Sequence, residues 1–328
     1  MPDGEGHAAV SGRGVRMKCA IVNMGHSARE RLKAIAKAGG RDANYVFQRY
    51  AFERFYYRIG RSSYADRFIL KGAALFTLWM GPMFRVTQDT DLESTLVPDH
   101  GQLREVFSQI AQIQVEHDDG VRYDCESMEI SDIKTEDEYK GVRIKFNAYI
   151  EQARIRLQFD IGFGDSVYPR AVFADYPVLL GGDPPRVRVY PQYSSISEKF
   201  GAMVSRGMDN SRLKDYFDIW ALSANCQFDL ELLKTAVART FKRNGLELLG
   251  EWPTGLTDRF AENAMKNSQW RAFIRKTKPT AKPESLKEAI ICIRRFLEPV
   301  VFAGFGPGAK WSPTEGRWMR EEEEAESS

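Results

Sequence analysis

The sequence has few residues of the kind that cross-link a chain. Its only cysteines are Cys19, Cys125, Cys226 and Cys292, which lie far apart among 328 residues. Their spacing matches neither a zinc site nor the disulfide framework of a small secreted domain. We therefore predict reduced, buried thiols in a cytoplasmic protein.

Long apolar runs are also absent. No stretch has the roughly 20 apolar residues that a membrane-spanning helix needs. Residues 1–26 lack the apolar core of a signal peptide. We therefore predict no membrane contact and a disordered leader over residues 1–26. The P-loop pattern G-x-x-x-x-G-K-[ST] is missing too, which argues against a P-loop kinase.

Apolar periodicity divides the chain into two unlike parts. Helical spacing begins at Ser27, the predicted N-cap of the first helix, and strand patterns such as VRYDCESMEI, GVRIKFNAYI and ARIRLQFDIGFG follow. We predict an α+β fold with a mixed sheet over residues 27–193 and a helical domain over residues 194–306. Residues 307–328 are expected to form a disordered acidic tail. The five glutamates of EEEEAESS in this tail leave the rest of the chain basic, which favours an anionic partner.

Two aspartates stand one residue apart in the stretch FRVTQDTDLES. Side chains alternate across a strand, so Arg85, Thr87, Asp89, Asp91 and Glu93 are expected to share one face. Neighbouring carboxylates on one face repel each other, and a divalent metal ion with oxygen ligands would remove that repulsion. A solvated polar face is the alternative for so short a motif.

A strand, a glycine turn and a helix precede the two aspartates. In FILKGAALFTLWM the chain turns at Gly72 into a helix whose free N–H groups can bind a phosphate. A third carboxylate is expected from a neighbouring strand, and Asp160 at the end of the alternating strand RIRLQFD supplies it, with Asp165 as the second choice. This order of elements is the plan of a nucleotidyltransferase palm.

Two separated segments resemble the AbiEii/AbiGii toxin family of nucleotidyltransferases. FILKGAALFTLWMGPMFRVTQDTDLES is similar to the family's Lys-Gly-Gly-like turn, helix, Arg-x-Thr/Ser and Asp-x-Asp. ISEKFGAMVSRGMDNSRLKDYFDIWAL is similar to its Glu-Lys, later Arg and Arg-x-Lys-Asp-x-x-Asp-Ile. The chain departs from the pattern at Gly72-Ala73, where members carry Gly-Gly or Gly-Ser, so a phosphate-binding hydroxyl is absent.

The resemblance implies a DNA polymerase beta-like palm and the toxin of a type IV toxin–antitoxin or phage-exclusion system, with a cognate antitoxin encoded nearby. It implies transfer of a nucleotide from an NTP to an RNA 3′ end, such as a tRNA acceptor stem, which would block translation. The expected metal is Mg²⁺ or Mn²⁺, held by Asp89, Asp91 and Asp160. The expected nucleotide contacts at the first motif are Lys71, Gly72, Ala73, Arg85 and Thr87.

The second motif is expected to complete the nucleotide site. Lys199 is predicted to bind the triphosphate from the first turns of a helix capped by Ser195 or Ser197. Asp215 is expected to orient Lys199, and Asp218, one helical turn further, to line the nucleotide site. The alternatives are an exposed Lys199 and a surface pair between Lys214 and Asp218.

Clustered basic residues predict an RNA partner. Arg271, Arg275 and Lys276 lie in a segment with few acids, and Arg206 and Arg212 lie near the second motif. Such charge suits a phosphate backbone and carries little sequence information. We expect the protein to be a monomer.

Other functions explain part of the sequence. A metal-dependent nuclease would use the same acids, with less need for a triphosphate-binding lysine. A haloacid-dehalogenase-type phosphatase places Asp-x-Asp after a buried apolar strand, and RVTQ is too polar for that. A non-enzymatic RNA-binding protein would leave the aligned acids unexplained, because they repel RNA unless a metal is bound.

Overall fold

The computed structural model describes residues 23–81, 89–133, 141–302, 306 and 308–320. Within these residues the helices are α1 (Met24–Ala38), α2 (Ala43–Arg61), α3 (Leu75–Met80), α4 (His100–Ala111), α5 (Gln192–Arg206), α6 (Leu213–Asn225), α7 (Leu230–Asn244), α8 (Asp258–Ala261), α9 (Ala264–Thr277) and α10 (Leu286–Val301). The strands are β1 (Phe68–Lys71), β2 (Thr90–Ser94), β3 (Val121–Ile133), β4 (Gly141–Ile150), β5 (Ala153–Phe163), β6 (Val172–Asp175), β7 (Arg186–Val189), β8 (Phe228–Asp229), β9 (Lys310–Ser312) and β10 (Arg317–Met319).

Seven strands form one mixed sheet in the order β3-β4-β5-β2-β1-β7-β6. Strand β2 runs parallel to β5 and antiparallel to β1, and β1 runs parallel to β7. The remaining pairs, β3 with β4, β4 with β5 and β6 with β7, are antiparallel. The predicted α+β fold with a mixed sheet is therefore confirmed. Because β2 has a neighbour on each side, its position is fixed from both directions.

The alternation read from RIRLQFD determines which face of β5 is buried. Ile155, Leu157 and Phe159 are buried, whereas Arg156 is exposed. Helix α2 covers this face, and Phe55 of α2 contacts Phe159 with ring centroids 4.8 Å apart. Burying such side chains contributes about 1.5–3 kcal/mol each relative to exposure. The predicted strand end at Asp160 is wrong, because β5 continues to Phe163.

Helices α5 to α10 surround a second cluster of buried side chains, which includes Phe200, Phe217 and Phe296. Phe76 of α3 packs into this cluster as well, although only the short 3₁₀ turn Gly72–Ala74 separates α3 from β1. The helix after β1 therefore links the sheet to the helical part. Among the described residues, none of the helices combines the length and apolar character needed to cross a bilayer.

Part of the predicted acidic tail is ordered, so that prediction is wrong for residues 308–320. Strands β9 and β10 pair with each other, and β9 also pairs with β8. Trp311 and Trp318 are buried against Phe296, and the indole N–H of Trp311 donates to the Ser223 carbonyl at 2.6 Å. Two large aromatic side chains supply enough burial to order this short segment.

Two further predictions need adjustment, and two strands were missed. Helix α1 begins at Met24 with Asn23 as its N-cap, so Ser27 lies inside the helix. Helix α5 begins at Gln192 after Pro191, so Lys199 is its eighth residue and neither Ser195 nor Ser197 is its cap. Strands β6 and β7 were not predicted from the sequence. Residues 1–22, 82–88 and 321–328, which include Cys19, Arg85, Thr87 and the run of glutamates, lie outside the described residues.

Candidate active site

Asp91 of the first motif and Asp160 of β5 lie side by side near the centre of the sheet. In the parallel pairing of β2 with β5, Asp91 is the direct neighbour of Asp160. In the antiparallel pairing of β2 with β1, Asp91 is the neighbour of Lys71. Side chains of directly paired residues on neighbouring strands lie on the same face of a sheet. The structure therefore brings together two of the three carboxylates predicted to hold a metal.

Asp91 packs closely against the turn at Gly72. The backbone of Gly72 has φ +70°, and a Cβ built on it would lie 1.9 Å from Asp91 Oδ2. Such a distance is far inside van der Waals contact, and a positive φ disfavours any other residue. Glycine at this position thus lets the turn and the carboxylate occupy adjacent space.

Asp91 lies where its negative charge is disfavoured. Burial raises its pKa, and the carboxylates of Asp89 and Asp160 raise it further, while the ammonium groups of Lys214 and Lys71 lower it. A carboxyl group crowded by other acids is stabilised by a bound cation. Asp89 and Asp91 therefore have the donor chemistry that a divalent metal ion requires.

Asp160 is already engaged by an arginine on the next strand. Arg143 of β4 donates from Nε and Nη2 to the two carboxylate oxygens at 2.8 and 2.7 Å, and Gln158 donates to Oδ1 at 3.2 Å. Across the described ranges, no three His, Cys, Asp or Glu side chains form a group that could hold a metal ion. Arg143 therefore balances the charge of Asp160 beside Asp91, and the role of Asp160 as a third metal ligand stays a prediction.

Lys71 lies within a buried network of carboxylates. Its ammonium contacts Glu93 at 3.0 Å and also binds Asp165, the second choice for the third carboxylate. Burial raises the pKa of Asp165, but Lys71 outweighs this effect and holds that pKa below its usual range, with help from Arg243. The charge of Lys71 is thus balanced within the protein, and this lysine holds the turn at Gly72 in place.

Helix α5 completes this network. Burial raises the pKa of Glu198, and Lys71 opposes that shift. The Tyr190 hydroxyl lies 2.5 Å from Glu198 Oε1, and Arg243 of α7 binds Asp165. These contacts connect the start of the helical part to the strand that precedes Gly72. They bring the second motif to the same region of the molecule as the first.

Lys199, Asp215 and Asp218 form one cluster, in which Lys199 lies beside Asp215 as expected and beside Asp218, which was not expected to contact it. Lys199 Nζ lies 2.9 Å from Asp218 Oδ2 and 3.5 Å from Asp215 Oδ1. Both aspartates are fully buried, and Arg212 Nε lies 2.9 Å from Asp215 Oδ2. The alternative of a surface pair between Lys214 and Asp218 is therefore wrong, because Asp218 is buried and faces Lys199.

The predicted RNA-binding residues lie at the surface. Arg206 and Arg212 are exposed around α5 and α6, and Arg271, Arg275 and Lys276 are exposed on α9. At the end of α9, the Lys278 carbonyl accepts a hydrogen bond from Arg41 Nη1 at 3.0 Å. The basic end of α9 therefore lies next to the chain segment that begins α2.

Two charged residues near the acids were missed in the sequence. Arg143 occupies an outward position in the alternating strand GVRIKFNAYI, and only the register with β5 places it opposite Asp160. Lys214 is exposed and acts electrostatically on Asp91. Its place in the second motif was visible, but its proximity to the first motif depends on the tertiary fold.

A family model described as the nucleotidyl transferase AbiEii toxin of a type IV TA system matches residues 54–291, well over half of the chain. Two solved structures from Helicobacter pylori are also similar to it. One, described as a nucleotidyltransferase, has 15% identity and a TM-score of 0.41, covering 79% of this chain and 98% of its own. The other, JHP933, has 14% identity and a TM-score of 0.38, covering 76% and 90%. No curated protein matches the chain.

Proposed function

The chain belongs to the AbiEii nucleotidyl transferase toxin family of type IV toxin–antitoxin systems, and we propose that it transfers a nucleotide from an NTP to the 3′ end of a tRNA and so blocks translation. Family membership makes it an enzyme with a nucleotidyltransferase fold, as its motifs predicted, and implies a cognate antitoxin. The position of Asp91, against Gly72 and beside Asp160, carries the proposal.

Nucleotidyl transfer depends mainly on positioning and on charge. The enzyme must hold the triphosphate and the attacking 3′-hydroxyl in line and stabilise the charge between them. We assign metal binding to Asp89 and Asp91, with Mg²⁺ or Mn²⁺ as the ion. When bound, such ions neutralise charge on the attacking and leaving oxygens. Asp160 would complete the ligand set or accept the hydroxyl proton after exchanging its contact with Arg143.

The turn at Gly72 would bind the phosphates through its backbone. Ala73 offers no hydroxyl there, so this contact depends on peptide N–H groups. Lys71 binds Glu93 of β2 and Asp165 just after β5, contacts that fix the strand end leading into the turn, and we therefore assign it to shaping the turn. Arg85 and Thr87 keep their predicted nucleotide contacts as proposals.

The positive charge for the triphosphate would come from the helical part. Lys199 projects from α5 and is held by Asp215 and Asp218, an arrangement that fixes its direction. Lys214 is exposed and acts on Asp91, so we propose it as a second triphosphate contact. Both lysines would act as point charges on phosphate oxygens.

The deciding experiment supplies each labelled NTP in turn with Mg²⁺ and total tRNA. We expect label to enter tRNA from one or a few NTPs, and Asp91→Ala to abolish transfer while leaving the fold intact. Shortened RNA in place of extended RNA would identify a nuclease. Binding of RNA without any change in its length would identify a non-enzymatic RNA-binding protein.

A cellular experiment tests the toxin's target. Expression of the wild-type chain should arrest growth and deplete aminoacylated tRNA, and Asp91→Ala should relieve both effects. Growth arrest with fully aminoacylated tRNA would contradict the proposed block of translation. We propose that the protein acts as a monomer in the cytoplasm, where tRNA and NTPs are found, and sedimentation of the purified chain would test its oligomeric state.

A further inference from the structure

Helix α2 carries three buried arginines, and they are not equivalent. Arg54 Nε and Arg58 Nη1 bind the Asp119 carboxylate at 3.1 and 2.7 Å. Arg49 is 8% exposed, yet its Nε and Nη1 have no hydrogen-bond partner among the described residues. Arg54 and Arg58 therefore have a counterion, whereas Arg49 lacks a hydrogen bond at two of its nitrogens.

Arg49 faces a small pocket between α2, the turn that begins α3, and the start of β2. The side chains around it include Tyr45, Phe52, Tyr56, Thr77, Asp89 and Tyr176. Aromatic rings form much of its wall, so the guanidinium lies in a weakly polar setting. Asp89, one of the two proposed metal ligands, stands at the same pocket.

A buried arginine without a partner is costly. Its side chain stays protonated in proteins, and removing a charge from water costs several kcal/mol unless an opposite charge compensates. Glu53, one turn along the helix, is a poor counterion, because burial raises its pKa to about 7 and its Oε2 accepts the Leu179 N–H at 2.8 Å. Burial of the Arg49 guanidinium therefore carries an unfavourable free energy that a bound anionic ligand would offset.

We propose that Arg49 binds a phosphate group of the substrate in this pocket. A guanidinium is suited to phosphate because its planar N–H groups match the phosphate oxygens. The phosphate would belong either to the NTP or to the backbone of the RNA near its 3′ end. This inference rests on the proposed function, since it takes the substrate class from it.

The start of α2 connects the pocket to the basic helix α9. Arg41, just before α2, binds the Lys278 carbonyl at the basic end of α9. Tyr45 and Arg49 follow on α2, and both line the pocket together with Asp89. An RNA strand on α9 could therefore pass the amino end of α2 and reach Asp89. A cation held at Asp89 would offset the repulsion between this carboxylate and the phosphate.

Arg49→Gln in the full-length protein tests the proposal. Binding is measured by calorimetry with Mg²⁺ for pyrophosphate, for each NTP, and for a short RNA with a free 3′-hydroxyl. Loss of a charged hydrogen bond should weaken at least one of these ligands by about tenfold or more. Weaker NTP and pyrophosphate binding assigns the phosphate to the NTP, and weaker RNA binding alone assigns it to the RNA. Arg49→Lys should restore part of the affinity.

Arg54→Gln is the matched control, because it removes a paired arginine from the same helix. It should lower the urea concentration of half-unfolding and leave the affinities unchanged. Arg49→Gln without ligand should unfold at the wild-type concentration or above, since it removes an uncompensated charge. Unchanged affinities for every ligand, or absence of phosphate binding by the wild type, would overturn the inference. If Arg49→Gln binds like wild type while wild type still extends tRNA, this inference fails and the proposed function stands.

Discussion

Gly72 and Asp91 occupy adjacent space, and a methyl group at Gly72 would lie 1.9 Å from the Asp91 carboxylate. The turn that is proposed to bind phosphate and the strand that is proposed to bind metal are therefore coupled through one contact. A substitution that displaces the turn at Gly72 must therefore displace Asp91, and a larger side chain at position 91 must displace the turn.

Gly72→Ala should disable the site by displacing Asp91. Gly81→Ala is the matched control, because Gly81 also has a positive φ, of +85°, but no atom of the described residues lies within 4 Å of a Cβ built on it. Both variants should lose about 1 kcal/mol or more from the strained backbone. Gly72→Ala should lose a further 1–3 kcal/mol, roughly, from overpacking and should lose transfer activity. Urea unfolding and NTP transfer measure the two effects, and equal behaviour of the variants would refute the coupling.

Asp91→Asn should reveal the metal site without any enzyme assay. In EDTA the variant should be at least as stable as wild type, because it removes a crowded carboxylate. Added Mg²⁺ should raise the melting temperature of wild type only. An ion at about 100 times its dissociation constant adds roughly 2.7 kcal/mol of stability. An equal response of both proteins to Mg²⁺ would remove Asp91 from the ligand set.

Lys199 contributes to the stability of the fold as well as to the proposed nucleotide site, so an experiment must separate the two effects. Removing its charge takes away the ammonium that the buried Asp218 and Asp215 share, so Lys199→Met should destabilise the protein by about 3–5 kcal/mol. The double variant Lys199→Met, Asp218→Asn should recover much of that stability. Its Michaelis constant for NTP should stay high. Recovery of both stability and NTP use would show that Lys199 only holds the helices together.

Glu53 should make stability depend on pH. Burial raises its pKa from 4.5 to about 7, so between these values the folded state holds a proton that the unfolded state has released. Stability therefore falls as the pH rises through this window. Glu53→Gln should remove this loss, gaining up to roughly 3 kcal/mol on wild type between pH 5 and pH 8. Urea unfolding at both pH values measures it, with the exposed Glu116→Gln as control.

The exposed end of α9 should contribute to the salt dependence of RNA binding. Replacing Arg271, Arg275 and Lys276 by glutamine should weaken tRNA binding and reduce the slope of log affinity against log salt. Each lost phosphate contact removes about 0.9 from that slope for a duplex. Affinity for NTP alone should not change. An unchanged slope would place the RNA path elsewhere, past Arg206 and Arg212.

Local patterns predicted the elements that carry the site. Strand periodicity identified β3, β4 and β5, and it assigned Leu157 and Phe159 to the core, because alternation follows directly from strand geometry. The turn at Gly72 was predicted because a glycine between a strand pattern and a helix pattern indicates a tight turn. These features depend on residues close together in the chain.

Partners from distant segments could not be read in the same way. Arg143 meets Asp160 only through the register of β4 with β5, and Lys71 meets Asp165 only after the sheet and α5 are assembled. The sequence around Arg49 does not distinguish it from an exposed charged residue on a helix. The hairpin of β9 and β10 was missed because charged and glycine-rich neighbours concealed two buried tryptophans, Trp311 and Trp318.

The strand order of the large sheet also bears on the timing of synthesis. Strand β2 pairs with β5, whose residues follow only after β3 and β4, and β1 pairs with β7 near residue 189. Pairings between such distant segments form slowly, because a long loop must close before any contact compensates for it. A nascent chain therefore exposes Asp91 well before Asp160 and the helices can join it. The proposed active site would therefore stay incomplete until the whole sheet and the first helices of the helical part had been synthesised.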